Sequence, residues 1–304
     1  MTDGAGAVSI EKLVIIMKVK DKFGHGKTVF SFEVFPPKKT SPVETVYSTL
    51  EQLKELQPDF ISVTYGAGGK GGAQTNGEIA SHIKNELKIE AVAHLTCLNN
   101  TKEQIREVLK GYKERGIKNI LALRGDKNPD FEPKTDFKHA SDLIAFIKEE
   151  CGDEFGISGA CYPEVHMEAA GEVEDILNLR KKVEAGAQHI ITQLFFDNAC
   201  FYRFRERCQI AGIPVPVEAG IMPVTNKKQI ERMVSISGAS LPVKFTKMMQ
   251  RYGDNPEAIR DAGIAYAVDQ IVDLIANGVD GVHLYTMNNP YVARKISESI
   301  KTLL

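Results

Sequence analysis

The stretch VFSFEVF at residues 29–35, followed by Pro36 and Pro37, has the composition and length of a buried strand. It contains one charged side chain, Glu33. An ionised carboxylate among apolar neighbours is costly unless it is paired, and an unpaired buried carboxylic acid keeps its proton to a higher pH. A group of this kind is suited to act as a general acid. We therefore predict a catalytic role for Glu33, with a core glutamate paired to a lysine or arginine as the alternative.

Apolar, β-branched segments alternate with segments of helical period along the whole chain, which predicts βα units and a parallel sheet. The predicted strands lie near residues 28–35, 59–65, 90–96, 118–124, 156–162, 188–195, 215–222 and 280–286. The predicted helices lie near residues 43–56, 75–88, 101–115, 138–151, 173–186, 198–211, 225–237 and 290–302. Eight strands that are each followed by a helix are typical of a closed (β/α)8 TIM barrel, an α/β fold.

Two further helical parts are predicted around this barrel. A helical insertion covers residues 241–278, before the last strand, and an extra N-terminal helix lies near residues 9–23. We expect residues 1–304 to form a single barrel domain, with residues 1–27 as a helical extension packed on it.

A doubly wound open sheet is the competing fold, because GAGGKG at residues 66–71 follows a strand and matches GxGxxG. A dinucleotide-binding fingerprint opens a helix directly and follows the first strand. Here the strand is the second, and residues 72–76 intervene before the helical period returns. We therefore favour the barrel and interpret the glycines as a loop over a ligand.

Composition excludes several classes of protein. The net charge of -2, without blocks of like charge, gives no footprint for nucleic acid or an anionic membrane. No apolar run is long enough for a membrane span. The five cysteines lack a CxxC pair, and the seven histidines lack a ligand spacing, so we predict no disulfide framework, no iron–sulfur centre and no catalytic metal. A reducing, cytoplasmic location fits best.

In such a barrel, polar residues at the C-terminal ends of the strands form the active-site face. These residues are Glu33, Thr64, Tyr65, His94, Thr96, Arg124, Asp126, Tyr162, Glu164, His166, Gln193, Pro223 and Tyr285. Asp126, after Gly125, supplies a second carboxylate, and two carboxylates in different surroundings can divide the roles of acid and anion. A helix cap is its alternative role.

The side chains of Asp175, Asn178, Lys181 and Lys182 lie along the fifth predicted helix. They form either a solvated face or a site for phosphate or ribose. Gln193, an amide among apolar neighbours, needs hydrogen-bond partners and suits the edge of a heterocycle. For His94 and His166, ligand contact and a structural hydrogen bond are both open.

Eight motifs in register from about residue 28 to 300 resemble the methylenetetrahydrofolate reductase family. They are FSFEVFPPK, SVTYGAGG, AHLTC, LRGD, YPEVH, ITQLFFDN, AGIMPVTN and HLYTMN. The resemblance is to the catalytic barrel of the bacterial type. It implies a flavoprotein of one-carbon metabolism and methionine biosynthesis that reduces methylenetetrahydrofolate to methyltetrahydrofolate. The cofactor it implies is FAD, with FMN less expected, and NADH is the usual bacterial donor.

The resemblance also implies roles for individual residues. Glu33 matches the proton donor, and Asp126 matches an aspartate that contacts the pterin and lies near the flavin. Gln193 matches a pterin-binding amide, Tyr285 a folate contact and Thr64 a nicotinamide-nucleotide contact. The implied flavin contacts are Tyr65, Ala67, His94, Arg124, Gly125, Asp126, Ala140, Tyr162, His166, Ala169, Asp175, Asn178, Lys181 and Lys182.

Three positions depart from the family pattern. Lys227 replaces an aromatic residue of the nucleotide pocket, Asn289 replaces an arginine that binds the folate tail, and His139 replaces an aromatic residue near the flavin. Lys227 and the altered tail site favour an alternative in which the chain is a catalytic subunit that takes electrons from a partner protein rather than from free NADH. We expect the chain to form a homo-oligomer or a hetero-complex. Two further alternatives are a folate- or flavin-binding subunit without turnover, and a Schiff-base aldolase with Lys244 as its nucleophile.

Overall fold

Eight parallel strands close into a barrel in the order β1 to β8, which confirms the predicted (β/α)8 fold. The computed structural model describes residues 18–37, 42–65, 72–126, 134 and 136–304. The strands are β1 (Val29–Val34), β2 (Phe60–Val63), β3 (Glu90–Thr96), β4 (Asn119–Leu123), β5 (Gly156–Cys161), β6 (His189–Thr192), β7 (Val217–Ile221) and β8 (Gly281–Tyr285).

The helices follow the strands in alternation. They are α1 (Glu44–Lys54), α2 (Gly72–Asn85), α3 (Lys102–Glu114), α4 (Ala140–Cys151), α5 (Glu172–Glu184), α6 (Asn198–Ile210), α7 (Lys227–Ser237), α8 (Val243–Tyr252), α9 (Pro256–Ala276) and α10 (Pro290–Ile300). The predicted insertion at 241–278 is therefore two helices. Asn255 divides them, because its side chain caps α9 and the following Pro256 suits a first helical position. No helix in the described ranges is long and apolar enough to cross a membrane.

The N-terminal extension closes the bottom of the barrel. Most of the helix predicted at 9–23 lies outside the described residues, and the described part is a short 3-10 helix, Val19–Lys22. The side chains of Val19 and Phe23 pack against Phe60 and other residues in the lower halves of the strands. The backbone N–H of Val19 donates to Asn119 Oδ1 at 2.9 Å, which fixes the extension to β4.

Alternation along β1 decides which side chains enter the barrel. Phe30, Phe32 and Val34 pack in the cluster between strands and helices, so Ser31 and Glu33 point inward. All six residues of β1 are buried. Glu33 is paired in register with Ser62 of β2 and Tyr285 of β8. The parallel register thus sets polar side chains of neighbouring strands at the same height inside the barrel.

Candidate active site

Glu33 lies on the inner face near the C-terminal end of β1 and is 7% exposed. Its Oε2 is 3.5 Å from His94 Nε2 and 3.7 Å from His283 Nε2. The alternative of a lysine or arginine partner is not found among the residues that the structure describes. Glu33 is therefore bordered by two imidazoles, at the end of the barrel where active sites of this fold lie.

His94 is uncharged at neutral pH, so its contact with Glu33 is not an ion pair. Burial lowers the pKa of the imidazole to about 4, against an opposing effect of the Glu33 carboxylate and with a further lowering by His283. The Nε2 atom is buried and makes no hydrogen bond, and the same is true of Oγ1 of Thr64, the residue that follows the neighbouring strand β2. Buried polar atoms without partners in a native structure often mark the place of a ligand or water.

The loop after β8 fixes the backbone around Glu33. The hydroxyl of Thr286 donates to the Glu33 carbonyl at 2.6 Å. The Asn288 side chain accepts from the Phe35 N–H at 2.9 Å and donates to the Phe35 carbonyl at 2.8 Å. Asn288 has a φ of 54°, which asparagine tolerates better than most residues. These contacts hold the end of β1 in place, and the sequence analysis did not single out either residue.

Tyr285 and Gln193 lie on the β6 to β8 side of the mouth. The Tyr285 hydroxyl donates to the Thr192 carbonyl at 2.7 Å, and burial raises the pKa of this phenol well above its usual value. A Cβ at Gly220 would lie 2.3 Å from that carbonyl, so glycine is required for the approach. Gln193 Oε1 accepts from the Leu194 N–H at 2.9 Å, which leaves its amide donors for another partner.

Arg124 leaves the end of β4 and forms a bidentate pair with Glu168, with N to O distances of 2.7 and 3.0 Å. This contact raises the pKa of the guanidinium. Gly125 has a φ of 86°, and a Cβ there would lie 3.0 Å from Thr96 Cβ, so the turn needs glycine on both counts. Asp126 follows as an exposed residue on the rim.

A second polar group surrounds the start of α5. Burial, followed by the charges of Asp126 and Asp175, raises the pKa of Tyr162 to about 12. The Tyr162 ring packs edge-on against His166 at 4.6 Å. Burial, then the Arg124 charge, lowers the pKa of His166, and burial raises the pKa of Asp175. The Glu168 N–H donates to His166 Nδ1 at 3.0 Å, so the neutral imidazole carries its proton on Nε2.

Lys182 extends from α5 toward this group, and its Nζ donates to the Ala160 carbonyl at 2.8 Å. Burial lowers the pKa of the ammonium, with partial compensation from Cys161 and Asp175. Lys181, one residue earlier, is exposed and donates to Asn178 Oδ1 at 3.2 Å. The two lysines therefore differ, because only Lys182 belongs to the buried face.

The remaining expected flavin contacts are distributed around the same rim. Tyr65 is buried after β2, Ala140 begins α4, and Ala169 donates its N–H to the His166 carbonyl at 2.9 Å. Ala67 lies outside the described residues, as does the whole glycine loop at 66–71. The structure thus places Glu33, Thr64 and His94 on one side of the mouth. Arg124, Tyr162 and Asp175 lie on the other.

The positions that depart from the family pattern have structural roles. Asn289 caps α10 by accepting from the Val292 N–H at 3.2 Å, and His139 is the N-cap residue of α4. The Lys227 side chain is 47% exposed, with Nζ 4.0 Å from Asp254 Oδ1. Lys244 is 68% exposed and paired with Asp269 at 2.5 Å, so it lacks the desolvated environment that a Schiff-base nucleophile needs.

Sequence analysis missed a set of polar residues inside the barrel below Glu33. They are Ser31, Ser62, Ser158, His189, Glu218 and His283, each at most 3% exposed. Glu218 stands in VEAGI at residues 217–221, an apolar strand with one carboxylate. This is the same signal that identified Glu33, and it was available in the sequence.

Comparison with known proteins agrees with this geometry. A family model described as methylenetetrahydrofolate reductase matches residues 18–301. The 5,10-methylenetetrahydrofolate reductase of Pectobacterium carotovorum subsp. carotovorum is 40% identical over 275 residues, 90% of this chain and 91% of that protein. Methylenetetrahydrofolate reductase (NADH) 1 of Arabidopsis thaliana is 38% identical over 287 residues, 90% of this chain and 48% of that protein.

A solved structure shares the fold at low sequence identity. It is an uncharacterized protein from Clostridium thermocellum that binds two copies of 5-methyl-5,6,7,8-tetrahydrofolic acid. It has a TM-score of 0.64 and 14% identity, and the match covers 91% of this chain and 96% of that one. Together with the family model and the bacterial relative, the barrel geometry leads to one assignment. The chain belongs to the methylenetetrahydrofolate reductase family.

Proposed function

We propose that this chain reduces 5,10-methylenetetrahydrofolate to 5-methyltetrahydrofolate with a bound flavin, in two half-reactions at one site, and that Glu33 is the general acid. The observation that carries the proposal is the position of Glu33. It is a buried carboxyl at the C-terminal end of the barrel, next to an imidazole that is uncharged at neutral pH. Among the described residues, the groups in ion-pair distance of this carboxyl are the imidazoles of His94 and His283, with no lysine or arginine.

The product defines where the proton of Glu33 must go. Because the methyl group of the product is on N5, the bond that breaks is the one between the methylene carbon and N10. Glu33 donates its proton to N10 as the five-membered ring opens, which leaves a methylene iminium at N5. Hydride addition to that carbon then gives the methyl group. The Glu33 carboxylate recovers a proton from solvent after the product leaves the open mouth.

Asp126 is proposed to stabilise the positive charge of the iminium. Its carboxylate is exposed on the rim and acts electrostatically on the nearby Tyr162 and Arg124. A fixed negative charge near a developing cation lowers the energy of the charged intermediate. Gln193, with its amide donors unused by the described residues, is proposed to bind the pterin edge. Tyr285 and Thr64 complete the proposed substrate and nucleotide contacts.

Several residues around the mouth fit a flavin dinucleotide. Lys182 is half-buried with its ammonium bonded to a carbonyl, which suits an anionic group, and Arg124, paired with Glu168, places a second cation nearby. Asp175 and Asn178 suit ribose hydroxyls, and this length of polar helix favours FAD over FMN. The proposed contacts also include Tyr65, Ala67, His94, Gly125, Ala140, His166, Ala169 and Lys181. When bound, the flavin supplies the redox chemistry, taking hydride from the donor and delivering it to the folate.

NADH is the proposed electron donor, supported by the name of the plant relative. The exposed Lys227 supports the alternative in which a partner subunit delivers the electrons. These two donors predict different behaviour of the isolated chain. Free NADH bleaches the flavin in the first case, whereas in the second only an artificial reductant such as reduced viologen does so.

An anaerobic titration tests the proposal. The purified protein is mixed with FAD, or with FMN as a comparison, and flavin absorbance is followed during addition of NADH, NADPH or reduced viologen and then of methylenetetrahydrofolate. We expect FAD to bind, a donor to bleach it, and the folate to restore the colour with formation of methyltetrahydrofolate. Failure to bind either flavin would refute the proposal. Binding of flavin and folate without reoxidation would instead indicate a binding subunit without turnover.

A further inference from the structure

A continuous chain of hydrogen bonds runs through the barrel interior below Glu33. Ser31 Oγ is 2.5 Å from Glu218 Oε1 and 2.6 Å from His283 Nδ1. His189 Nε2 is 3.0 Å from Glu218 Oε2, and His189 Nδ1 is 2.9 Å from Ser158 Oγ. At the upper end, His283 Nε2 is 3.2 Å from Ser62 Oγ and 3.7 Å from Glu33 Oε2.

This chain is unusual for its location. The interior of such a barrel is normally filled by bulky apolar side chains, and a buried polar network is costly unless every member is satisfied. Glu218 and His283 are each 0% exposed, and the network adds a buried carboxylate close to the proposed acid. Its geometry also fixes the direction of the hydrogen bonds, because a hydroxyl has one proton to donate.

The direction follows from Glu218. A carboxylate accepts hydrogen bonds only, and each oxygen of Glu218 faces a group that can donate, Ser31 Oγ at Oε1 and His189 Nε2 at Oε2. Ser31 therefore donates its proton to Glu218 and has to accept from His283 Nδ1. A neutral His283 with its proton on Nδ1 has a lone pair on Nε2. That lone pair accepts from the Ser62 hydroxyl and faces Glu33 Oε2.

The same reasoning holds for the lower half of the hydrogen-bond network, from Glu218 to Ser158. His189 donates from Nε2 to Glu218 Oε2, so its Nδ1 accepts from the Ser158 hydroxyl. Both oxygens of Glu218 then receive a donor, which is what an ionised buried carboxylate requires.

We infer that Glu218 acts through Ser31 to hold His283 as the Nδ1–H tautomer, so that the lone pair on Nε2, 3.7 Å from Glu33 Oε2, faces the carboxyl group that delivers the proton to the folate. The inference rests on the proposed role of Glu33 as the acid. With this tautomer no imidazole N–H of His283 points at Glu33, whereas the other tautomer would place an N–H donor there. Glu218, Ser31 and His283 are thus positioning residues for the proton of Glu33.

The other groups around Glu33 do not oppose this effect. On β3, His94 is neutral, since burial lowers its pKa to about 4. On β8, Tyr285 is a phenol whose hydroxyl is committed to the Thr192 carbonyl. On β2, the side chain opposite Glu33 is Ser62, which has no charge. The hydrogen bonds of Glu218 extend through Ser31 to His283, whose Nε2 lies 3.7 Å from Glu33 Oε2.

Nitrogen NMR of the protein labelled with 15N-histidine tests the tautomer directly, without flavin or folate. The signals of His283 are assigned by their loss in His283→Asn. We expect a protonated Nδ1 and an unprotonated Nε2 in the wild type. A proton on Nε2 in the wild-type protein would overturn the inference, whatever the variants do. Because no turnover is needed, this outcome is distinct from a failure of the proposed function.

Glu218→Gln tests the link to Glu33. The amide can donate to Ser31, which then donates to His283 Nδ1 and moves the imidazole proton to Nε2, where it stabilises a Glu33 carboxylate. We expect the tautomer to change and the high-pH decline of flavin reoxidation by folate to move at least one pH unit lower. Flavin reduction by the donor should keep its pH profile. Ser31→Ala should shift the decline in the same direction.

Ser158→Ala is the matched control. It removes a buried hydroxyl at the far end of the hydrogen-bond network without reversing the hydrogen bonds between Glu218, Ser31 and His283. It should leave both the His283 tautomer and the pH profile unchanged. An unchanged tautomer in Glu218→Gln, or an equal shift in the control, would contradict the inference.

Discussion

His94 should make the folded protein less stable as the pH falls, and the size of the effect follows from its burial. The imidazole is 5% exposed, and burial lowers its pKa from 6.5 to about 4. In the unfolded chain the same imidazole takes up a proton below its ordinary pKa of 6.5. Between these two values the unfolded state binds more protons than the folded state, so stability falls with falling pH.

The magnitude can be worked out from the two pKa values. A pKa difference of one unit corresponds to about 1.4 kcal/mol. The difference between the pKa of His94 in the unfolded and the folded protein therefore lowers the free energy of unfolding by about 3 kcal/mol between about pH 7.5 and pH 4. His94→Gln removes this titration but keeps a polar side chain of similar length. The wild type should therefore lose about 3 kcal/mol more stability than the variant over this pH range.

Equilibrium urea unfolding of the flavin-free protein at a series of pH values measures this difference. The wild-type and variant free energies of unfolding are compared at each pH. The difference between them cancels the titration of groups that do not contact His94. His25→Gln serves as the control for loss of a histidine at an exposed position. A constant difference between wild type and His94→Gln at all pH values would refute the assigned environment of His94.

Three further predictions concern the mouth of the barrel. Gly125→Ala should destabilise the protein by more than Gly212→Ala in thermal unfolding, because both positions have positive φ, at about 1–2 kcal/mol each, but only the first meets a neighbour. Tyr285→Phe leaves the carbonyl on β6 without its donor and should cost about 1–3 kcal/mol in urea unfolding, with a raised KM for folate. Lys182→Met should weaken FAD binding at least tenfold by fluorescence titration, whereas Lys181→Met at the exposed neighbouring position should have a smaller effect. Equal effects of the two members of either matched pair would contradict the corresponding assignment.

The barrel was predictable because its signal is local and repeated. Strands such as β1 and β7 are short apolar segments, and helices such as α3 begin at a capping residue that the sequence displays, Thr101. Glu33 was predictable for the same reason, since one carboxylate in an apolar strand has few explanations. The insertion was placed correctly but not divided, because Asn255 and Pro256 were not weighed as a helix start.

The contacts of the site were not predictable, because they join distant parts of the chain. Arg124 and Glu168 are separated by 44 residues, and Ser31 and Glu218 by 187. A single sequence gives the inward or outward face of each strand but not which inward side chains meet across the barrel. For this reason the sequence did not predict that His283 is a neighbour of Glu33, which follows only from the register between β1 and β8.

The central claim is that Glu33 delivers a proton to the folate and takes no part in reduction of the flavin. Glu33→Gln keeps the shape of the side chain and removes the acidic proton, and Glu206→Gln is a control at an exposed position on α6. In stopped-flow measurements we expect Glu33→Gln to reduce flavin with the donor at the wild-type rate. Its reoxidation by methylenetetrahydrofolate should be slower by at least about 10²-fold, and the control should be unaffected. Equal slowing of both half-reactions, or reoxidation at the wild-type rate, would contradict the account.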